Sequence, residues 1–164
     1  MAQIPRVCLI GPESTGKSAL AAALARHFGL PWKPEYAREY AEARSGELTA
    51  ADVEPIARGE MALLERGDRI LDTDLLSTVV YARHYYGSCP SWIEEEAARR
   101  TADLYLLMDT DLVWIADGAR TAGGDDREDQ FDAFRAALDE FGCRWVVVSG
   151  SWEERFKTVL SAMC

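Results

Sequence analysis

Eight residues near the start of the sequence have the types and the spacing that hold a phosphate group. Residues 11–18 read Gly-Pro-Glu-Ser-Thr-Gly-Lys-Ser and match the pattern G-x-x-x-x-G-K-[ST] at every fixed position. The glycines allow the backbone to wrap around an anion with its N–H groups pointing inward. Lys17 adds a positive charge beside the β- and γ-phosphate oxygens of a nucleotide, and the Ser18 hydroxyl is a ligand for Mg²⁺.

We therefore predict that this phosphate loop binds ATP and Mg²⁺. An apolar segment precedes the loop and an Ala/Leu-rich segment follows it, which is the strand–loop–helix context that the motif requires. A chance glycine-rich turn is the alternative, and the context argues against it. The motif leaves open the use of the nucleotide and the choice between ATP and GTP. The residues predicted to contact the phosphates are Gly11, Glu13, Ser14, Thr15, Gly16, Lys17, Ser18 and Ala19, with Lys17 also catalytic.

Two acids after a second apolar segment are candidates for completing the site. Residues 69–73 read RILDT, and Asp74 follows them. A strand beside the phosphate loop would bring Asp72 and Asp74 toward Lys17 and Ser18. We predict that both acids are catalytic, with Asp72 binding Mg²⁺ alongside Ser18 and Asp74 contacting the substrate or its hydroxyl. Asp74 is also placed to cap the next helix, and which acid is the main metal ligand stays open.

Residues 34–40, PEYAREY, are a candidate acceptor site. Glu35 at a strand end can accept a hydroxyl proton during phosphoryl transfer. Arg38, three residues on, can anchor a polar substrate. The alternative is an exposed helix in which these charges pair with their neighbours.

Two further features suggest binding surfaces. The Gly- and Asp-rich loop at 115–127 carries Arg120 and Arg127, and we predict a lid that closes over the phosphates, with Arg120 also catalytic. A loop whose arginines neutralise nearby aspartates is the alternative. Tyr81 and Tyr85 share a helix face, where they either stack on a flat ring or belong to the core.

These residues must be positioned by alternating strands and helices. Apolar segments without period-two alternation indicate a parallel sheet covered on both faces, with ligands at the carboxyl ends of the strands. We predict five strands, at 6–10, 31–35, 69–73, 103–108 and 144–148. The predicted helices are 17–28, 36–45, 50–66, 74–86, 91–100, 128–141 and 152–162.

Composition limits the class of protein. The 164 residues suit one domain, 1–164, with the lid at about 115–127. A net charge of −10 disfavours nucleic acid and anionic membranes as partners. No signal-peptide or membrane-spanning pattern is found, so we expect a cytoplasmic protein. The four cysteines lack metal-ligand spacing and are expected to be free thiols. The oligomeric state stays open.

Taken together, the motifs resemble the ribosylnicotinamide kinase domain of the NadR type, within the P-loop small-molecule kinases. They occur in the family's order over nearly the whole chain. The matching segments are GPESTGKS (11–18), PEYAREY (34–40), LDTDLLST (71–78), residues 85–87 and WIADGAR (114–120).

The resemblance implies a three-layer α/β fold with five parallel strands in the order 2-3-1-4-5 and a lid. It implies transfer of the γ-phosphoryl group of ATP to the 5′-hydroxyl of nicotinamide riboside, for NAD salvage. By position, Glu35, Tyr36, Arg38, Asp74 and Tyr85 then belong to the substrate pocket.

Two departures from the family pattern affect these expectations. In bifunctional members a Trp precedes the Glu-Tyr pair and is expected to sandwich the nicotinamide ring with a Tyr at the position of Tyr85. This chain has Pro34 there, and the nearest Trp is Trp32. Those members also carry an N-terminal nucleotidyltransferase domain and sometimes a DNA-binding domain. We therefore expect neither adenylyltransferase activity nor operator binding here.

Two other functions stay open from the sequence. One is a kinase of another nucleoside or small hydroxylated acceptor, which the Pro34 departure motivates. The other is a nucleotide-dependent regulatory ATPase, which the phosphate loop alone does not exclude.

Overall fold

A computed structural model of the chain describes residues 3–44, 46–111 and 125–164. In these ranges four parallel strands form one sheet in the order β2-β1-β3-β4. The strands are β1 (Val7–Ile10), β2 (Ile70–Asp72), β3 (Leu104–Met108) and β4 (Trp145–Val148). Leu9 of β1 lies opposite Asp72 on one side and Leu106 on the other. The carboxyl end of β1 is therefore flanked by the ends of β2 and β3.

Helices connect these strands, as predicted. They are α1 (Lys17–Phe28), α2 (Tyr36–Ala43), α3 (Val53–Leu64), α4 (Leu75–Tyr86), α5 (Ser91–Arg99), α6 (Asp125–Glu140) and α7 (Trp152–Met163). A short 3₁₀ turn, Ala50–Asp52, precedes α3 and is capped by the Thr49 side chain, which accepts a hydrogen bond from the Ala51 amide.

The fifth predicted strand, 31–35, does not form, so the prediction of a five-stranded sheet is wrong for the described residues. Lys33 makes a single parallel bridge to Leu71 on the outer side of β2. Its amide donates to Ile70 (2.9 Å), and its carbonyl accepts from the Asp72 amide (2.8 Å). Pro31, the preceding residue on the side that faces β2, has no N–H to donate, and after Glu35 the chain enters α2, so the ladder does not extend in either direction.

Both faces of the sheet are covered by helices, which gives the predicted three layers. Alternate residues of β1 point to opposite faces: Cys8 and Ile10 pack in one core, and Val7 and Leu9 in the other. The first core is completed by α3, α4, α5 and α6, and the second by α1 and α7. By contrast, α2 buries none of its residues completely.

The segment predicted as a lid differs from the structure at its end. Residues 125–127 are already the first turn of α6, so the loop predicted for 115–127 is too long by three residues. The rest of that segment, including Arg120, lies outside the described residues.

Two expectations from composition can be compared with the structure. No helix within the described ranges is long and apolar enough to cross a membrane. All four cysteines are free thiols, as predicted.

Candidate active site

The phosphate loop is the turn between β1 and α1. Gly11 has φ +138°, and a Cβ atom on it would lie 2.9 Å from the Met108 carbonyl oxygen, so no larger residue fits. Ser14 and Gly16 also have positive φ, at 60° and 89°. The Thr15 hydroxyl donates to the Pro12 carbonyl at 2.8 Å. The loop thus has a fixed, curved backbone at the start of a helix, where amide groups and the helix dipole favour an anion.

Lys17 lies over this loop, as the motif predicts. Its Nζ donates to the carbonyl oxygens of Gly11 (3.0 Å) and Pro12 (2.7 Å). The side chain is buried. The ammonium group therefore lies inside the curve of the loop. Of the other predicted phosphate contacts, Glu13 and Ser14 are half-buried, and Ala19 is exposed on the first turn of α1.

Ser18 and Asp72 meet, as predicted from neighbouring parallel strands. The Ser18 hydroxyl donates to Asp72 Oδ2 at 2.5 Å. Asp72 is 1% exposed, and its other oxygen, Oδ1, is buried without a hydrogen-bond partner. Burial and the charge of Glu35 raise the pKa of Asp72, and the hydrogen bond from Ser18 opposes them.

This pair of oxygens fits Mg²⁺. A hydroxyl and a carboxylate are hard oxygen ligands, and Mg²⁺ in nucleotide sites takes one or two protein ligands together with phosphates and water. In the ranges that the structure covers, no group of three or more His, Cys, Asp or Glu side chains is arranged to hold a metal. The free Oδ1 of Asp72 is thus available to a metal whose remaining ligands come from the nucleotide and solvent.

Asp74 points into the fold. Its Oδ1 accepts from the Leu76 amide at 3.0 Å, which caps α4, and its Oδ2 accepts from the Tyr105 hydroxyl at 2.5 Å. Burial raises the pKa of Asp74, and the bond from Tyr105 opposes this. Both oxygens have internal partners, so the structure does not bring this acid to the phosphate loop as it brings Asp72.

Glu35 lies at the start of α2, with no hydrogen bond from its side chain to the helix end. Arg38 pairs with it at 3.7 Å. Burial, and after it the negative charge of Glu35, raises the pKa values of both Asp72 and Tyr81, so the Glu35 carboxylate acts on both residues. Tyr36 lies directly over Gly59 of α3, where a Cβ atom would be 2.0 Å from the ring.

Tyr81 and Tyr85 form an aromatic shelf on α4, in which Tyr81 packs against the core and Tyr85 is exposed. Their rings are stacked, with centroids 5.9 Å apart. Tyr81 packs edge-on against Phe134 of the core, and its hydroxyl donates to the Gly11 carbonyl at 3.5 Å. Tyr85 is 49% exposed. Burial and the charges of Glu13 and Asp126 raise the pKa of Tyr85 to about 12. Tyr81 is thus a core residue, and Tyr85 is a ring open to solvent near the phosphate loop.

Trp32 does not face this shelf. It packs with Phe28 and Leu30 against the core on the other side of the sheet. The aromatic partner that the resemblance implies for Tyr85 is therefore not supplied by Trp32.

Arg127 reaches the phosphate loop from α6. Its Nη2 donates to the Ser14 carbonyl at 3.3 Å, and the residue is 4% exposed. Burial lowers its pKa, and its Nε has no hydrogen-bond partner. Arg127 is therefore beside the phosphate loop, although it lies on a helix.

Two buried charged groups at the site were not predicted from the sequence. Lys33 and Glu60 form an ion pair of 2.5 Å in which both side chains are almost fully buried. Glu60 shares one face of α3 with Val53, Ile56, Ala57 and Leu64. A glutamate in an apolar helical stripe was the available signal, since such a position is seldom charged without a partner.

Arg155 of α7 was also missed. Fully buried, it donates to the carbonyls of Thr15 (3.3 Å), Gly150 (2.9 Å) and Asp109 (3.4 Å) and pairs with Asp111. Its hydrogen bond to the Thr15 carbonyl attaches the phosphate loop to α7.

Comparison with known proteins agrees with this geometry. The sequence profile of the family AAA_28, described as "AAA domain", matches residues 6–155. The trifunctional NAD biosynthesis/regulator protein NadR of Escherichia coli (strain K12) is 27% identical over 162 residues, which is 92% of this chain and 40% of that protein.

Two solved structures are similar. NadR protein in complex with NR has a TM-score of 0.81 and 28% identity, over 95% of this chain and 49% of that one. NadR protein in complex with NAD and AMP-PNP has a TM-score of 0.78 and 26% identity, over 95% and 47%. The resemblance to the NadR type is thereby confirmed. This chain spans less than half of each of these proteins.

Proposed function

We infer that this chain, which belongs to the AAA_28 family, is a kinase that transfers the γ-phosphoryl group of ATP to the 5′-hydroxyl of nicotinamide riboside. The observation that carries the proposal is the contact between Ser18 and Asp72, with a buried free carboxylate oxygen beside the lysine of the phosphate loop. Support for the two substrates comes from the similar NadR structures, one with NR and one with AMP-PNP. Cytoplasmic localisation and the lack of nucleic-acid and membrane partners remain part of the proposal.

The residues have the following roles in the proposed reaction. The loop amides and Lys17 bind the phosphates, and Ser18 and Asp72 hold Mg²⁺, which when bound neutralises charge on the β- and γ-phosphates. Glu35 takes the proton of the acceptor hydroxyl as the oxygen bonds to the γ-phosphorus. The bond from that phosphorus to the β–γ bridging oxygen breaks, and ADP leaves.

The remaining site residues bind and position. Arg38 anchors the ribose side of the acceptor, and Tyr36 and Tyr85 bound its pocket, with Tyr85 presenting a ring face for stacking. Arg127, together with Arg120, supplies positive charge to the transferring group. For Asp74 we propose a positioning role, through the cap of α4, because both of its oxygens are bonded within the fold.

One observation favours a second candidate, a kinase of another nucleoside. Trp32 lies on the far side of the sheet, so Tyr85 is the one residue in the described ranges to which we assign a ring face for stacking on the acceptor. A site that contacts only one face of the acceptor ring discriminates less strictly between rings, so it would also accept another riboside.

The test is ADP formation from ATP and Mg²⁺, with and without nicotinamide riboside and with a panel of other ribosides. We expect ADP formation that depends on nicotinamide riboside and yields its mononucleotide. A Lys17→Met variant is the control and should lose this activity. ADP formation that no acceptor changes would contradict the kinase, and faster turnover of another riboside would assign the second candidate.

A further inference from the structure

The buried ammonium group of Lys33 lies between the two chain segments that carry the site acids. Its Nζ donates to the carbonyl of Pro34 at 2.6 Å and to the carbonyl of Asp72 at 3.2 Å. Pro34 directly precedes Glu35, and the second carbonyl belongs to Asp72, the candidate metal ligand. The Lys33 side chain therefore links the backbone next to Glu35 with the backbone at Asp72.

The backbone of Lys33 makes the same connection. Its amide and carbonyl bond to Ile70 and Asp72 on either side of Leu71. Because the ladder ends at this single bridge, no further strand pairing with any described residue holds the segment that leads into Glu35. The side-chain bonds of Lys33 are then the contacts that continue the attachment beyond the bridge.

The positive charge of Lys33 also opposes the repulsion between the carboxylates of Glu35 and Asp72. Its positive charge acts on the carboxylates of Asp72 and Asp74. Glu35 and Asp72 repel each other when both are ionised. A neutral side chain in place of Lys33 would leave this repulsion unopposed inside the protein.

Glu60 differs from the other acids because we assign it no role toward the substrate or the metal, and its partner is Lys33. Its carboxylate pairs with the ammonium at 2.5 Å from α3. An ammonium that is completely buried needs such a counter-ion.

We propose that Lys33 is a positioning residue that holds Glu35 and Asp72 at the separation needed for phosphoryl transfer, with Glu60 as its counter-ion. The inference rests on the proposed kinase activity. It predicts that Lys33 affects the rate of transfer through the two acids, while Glu60 affects mainly stability.

The experiment compares Lys33→Met, Glu60→Gln and the double variant Lys33→Met/Glu60→Gln above about pH 7, where the Glu60 carboxylate is ionised. Lys33→Met leaves a buried carboxylate without a partner and Glu60→Gln a buried ammonium, so each should lower the thermal midpoint. The double variant removes both charges and should regain most of that loss, as expected for a buried pair.

The turnover number separates positioning from stability. In the double variant we expect kcat to stay reduced on the order of 10- to 100-fold, because misplaced reacting groups slow transfer. The KM for ATP should stay within about twofold of the wild-type value, since the phosphate loop is unchanged. Glu60→Gln retains the ammonium and should keep kcat within about threefold.

The control is a partly exposed pair at the C-terminal end of α5, Arg100→Met/Glu96→Gln, which should change neither kcat nor the thermal midpoint appreciably. Recovery of wild-type kcat in the double variant would overturn the inference, and so would an equal loss of kcat in Glu60→Gln and Lys33→Met. If the double variant does not fold, the comparison of kcat between Lys33→Met and Glu60→Gln decides, because only Lys33→Met lacks the ammonium group. Absence of wild-type turnover would instead contradict the proposed function.

Discussion

At the scale of single residues, the site depends on how each carboxylate uses its two oxygens. Asp72 gives one oxygen to Ser18 and keeps the other free, although the side chain is buried. Asp74, two residues later, has both oxygens bonded inside the fold. Leaving a buried carboxylate oxygen unpaired costs free energy, so the free oxygen of Asp72 is best explained by a ligand that binds there.

Tyr85 can be tested at the same scale. Tyr85→Ala should raise the KM for the acceptor about tenfold or more, because stacking of one ring contributes about 1–3 kcal/mol. The KM for ATP should not change, and the free energy of unfolding should fall by less than about 1 kcal/mol, since the ring is half-exposed. Steady-state kinetics and urea denaturation measure these quantities.

Two variants are the controls for that prediction. Tyr85→Phe keeps the ring and loses only the hydrogen bond from Gln130, so acceptor binding should persist. Tyr86→Ala removes the neighbouring exposed ring, which is tilted by 53° from Tyr85. Equal effects of Tyr85→Ala and Tyr86→Ala would argue against stacking on Tyr85.

The sequence predicts some of these residues better than others. The phosphate loop and its contact with Asp72 are predictable because a fixed motif and adjacent parallel strands determine them. Lys33, Glu60 and Arg155 are not, because a charged residue in a short segment or on a helix is usually exposed. Lys33 and Glu60 are 27 residues apart, and Arg155 is 140 residues from Thr15, and such distant pairs have no local pattern.

At the scale of elements, the region around α2 shows why a strand predicted from an apolar segment can fail to form. The apolar segment before α2 resembles a strand, but Pro31 on one side of Lys33 and the start of α2 at Tyr36 on the other restrict it to one bridge. The helix itself buries no residue completely, so its position depends on a few contacts such as that of Tyr36 with Gly59.

Gly59→Ala tests this contact. Alanine normally stabilises a helix interior by about 0.5–1 kcal/mol relative to glycine. Here its Cβ would lie 2.0 Å from the ring of Tyr36, so the ring must move. We expect a loss of about 1–3 kcal/mol in the free energy of unfolding and a higher KM for the acceptor.

The effect of Gly59→Ala on the free energy of unfolding should change sign when the Tyr36 ring is absent. In a Tyr36→Ala background, Gly59→Ala should raise the free energy of unfolding by about 0.5–1 kcal/mol. Chemical denaturation of the four proteins measures both effects. A loss of stability in both backgrounds would show that something other than Tyr36 opposes the methyl group.

At the scale of the whole molecule, stability is coupled to protons through Glu60. Burial raises the pKa of Glu60 from 4.5 to about 7, and the charge of Lys33 only partly opposes this. The folded protein therefore keeps a proton that the unfolded chain loses at lower pH. The contribution of this group to stability is complete below pH 4.5 and is lost as the pH rises through about 7.

Glu60→Gln should remove this dependence. The difference in free energy of unfolding between wild type and Glu60→Gln should shift against the wild type by up to about 3 kcal/mol between pH 4.5 and about 7. Urea denaturation across this range measures it, and the contributions of Asp72 and Asp74 cancel because both proteins contain them. Glu96→Gln, whose carboxylate has a lowered pKa, is the control and should show no such shift. A difference that stays constant with pH would contradict the prediction.

The position of Arg155 has a consequence for how the protein is made. Its guanidinium bonds to Thr15, 140 residues earlier in the chain. On the ribosome, the nascent chain exposes Thr15 long before Arg155 is synthesised. The Arg155 contact with the phosphate loop is therefore missing until α7 has emerged, and we expect a nascent chain to gain full affinity for nucleotide only after that point.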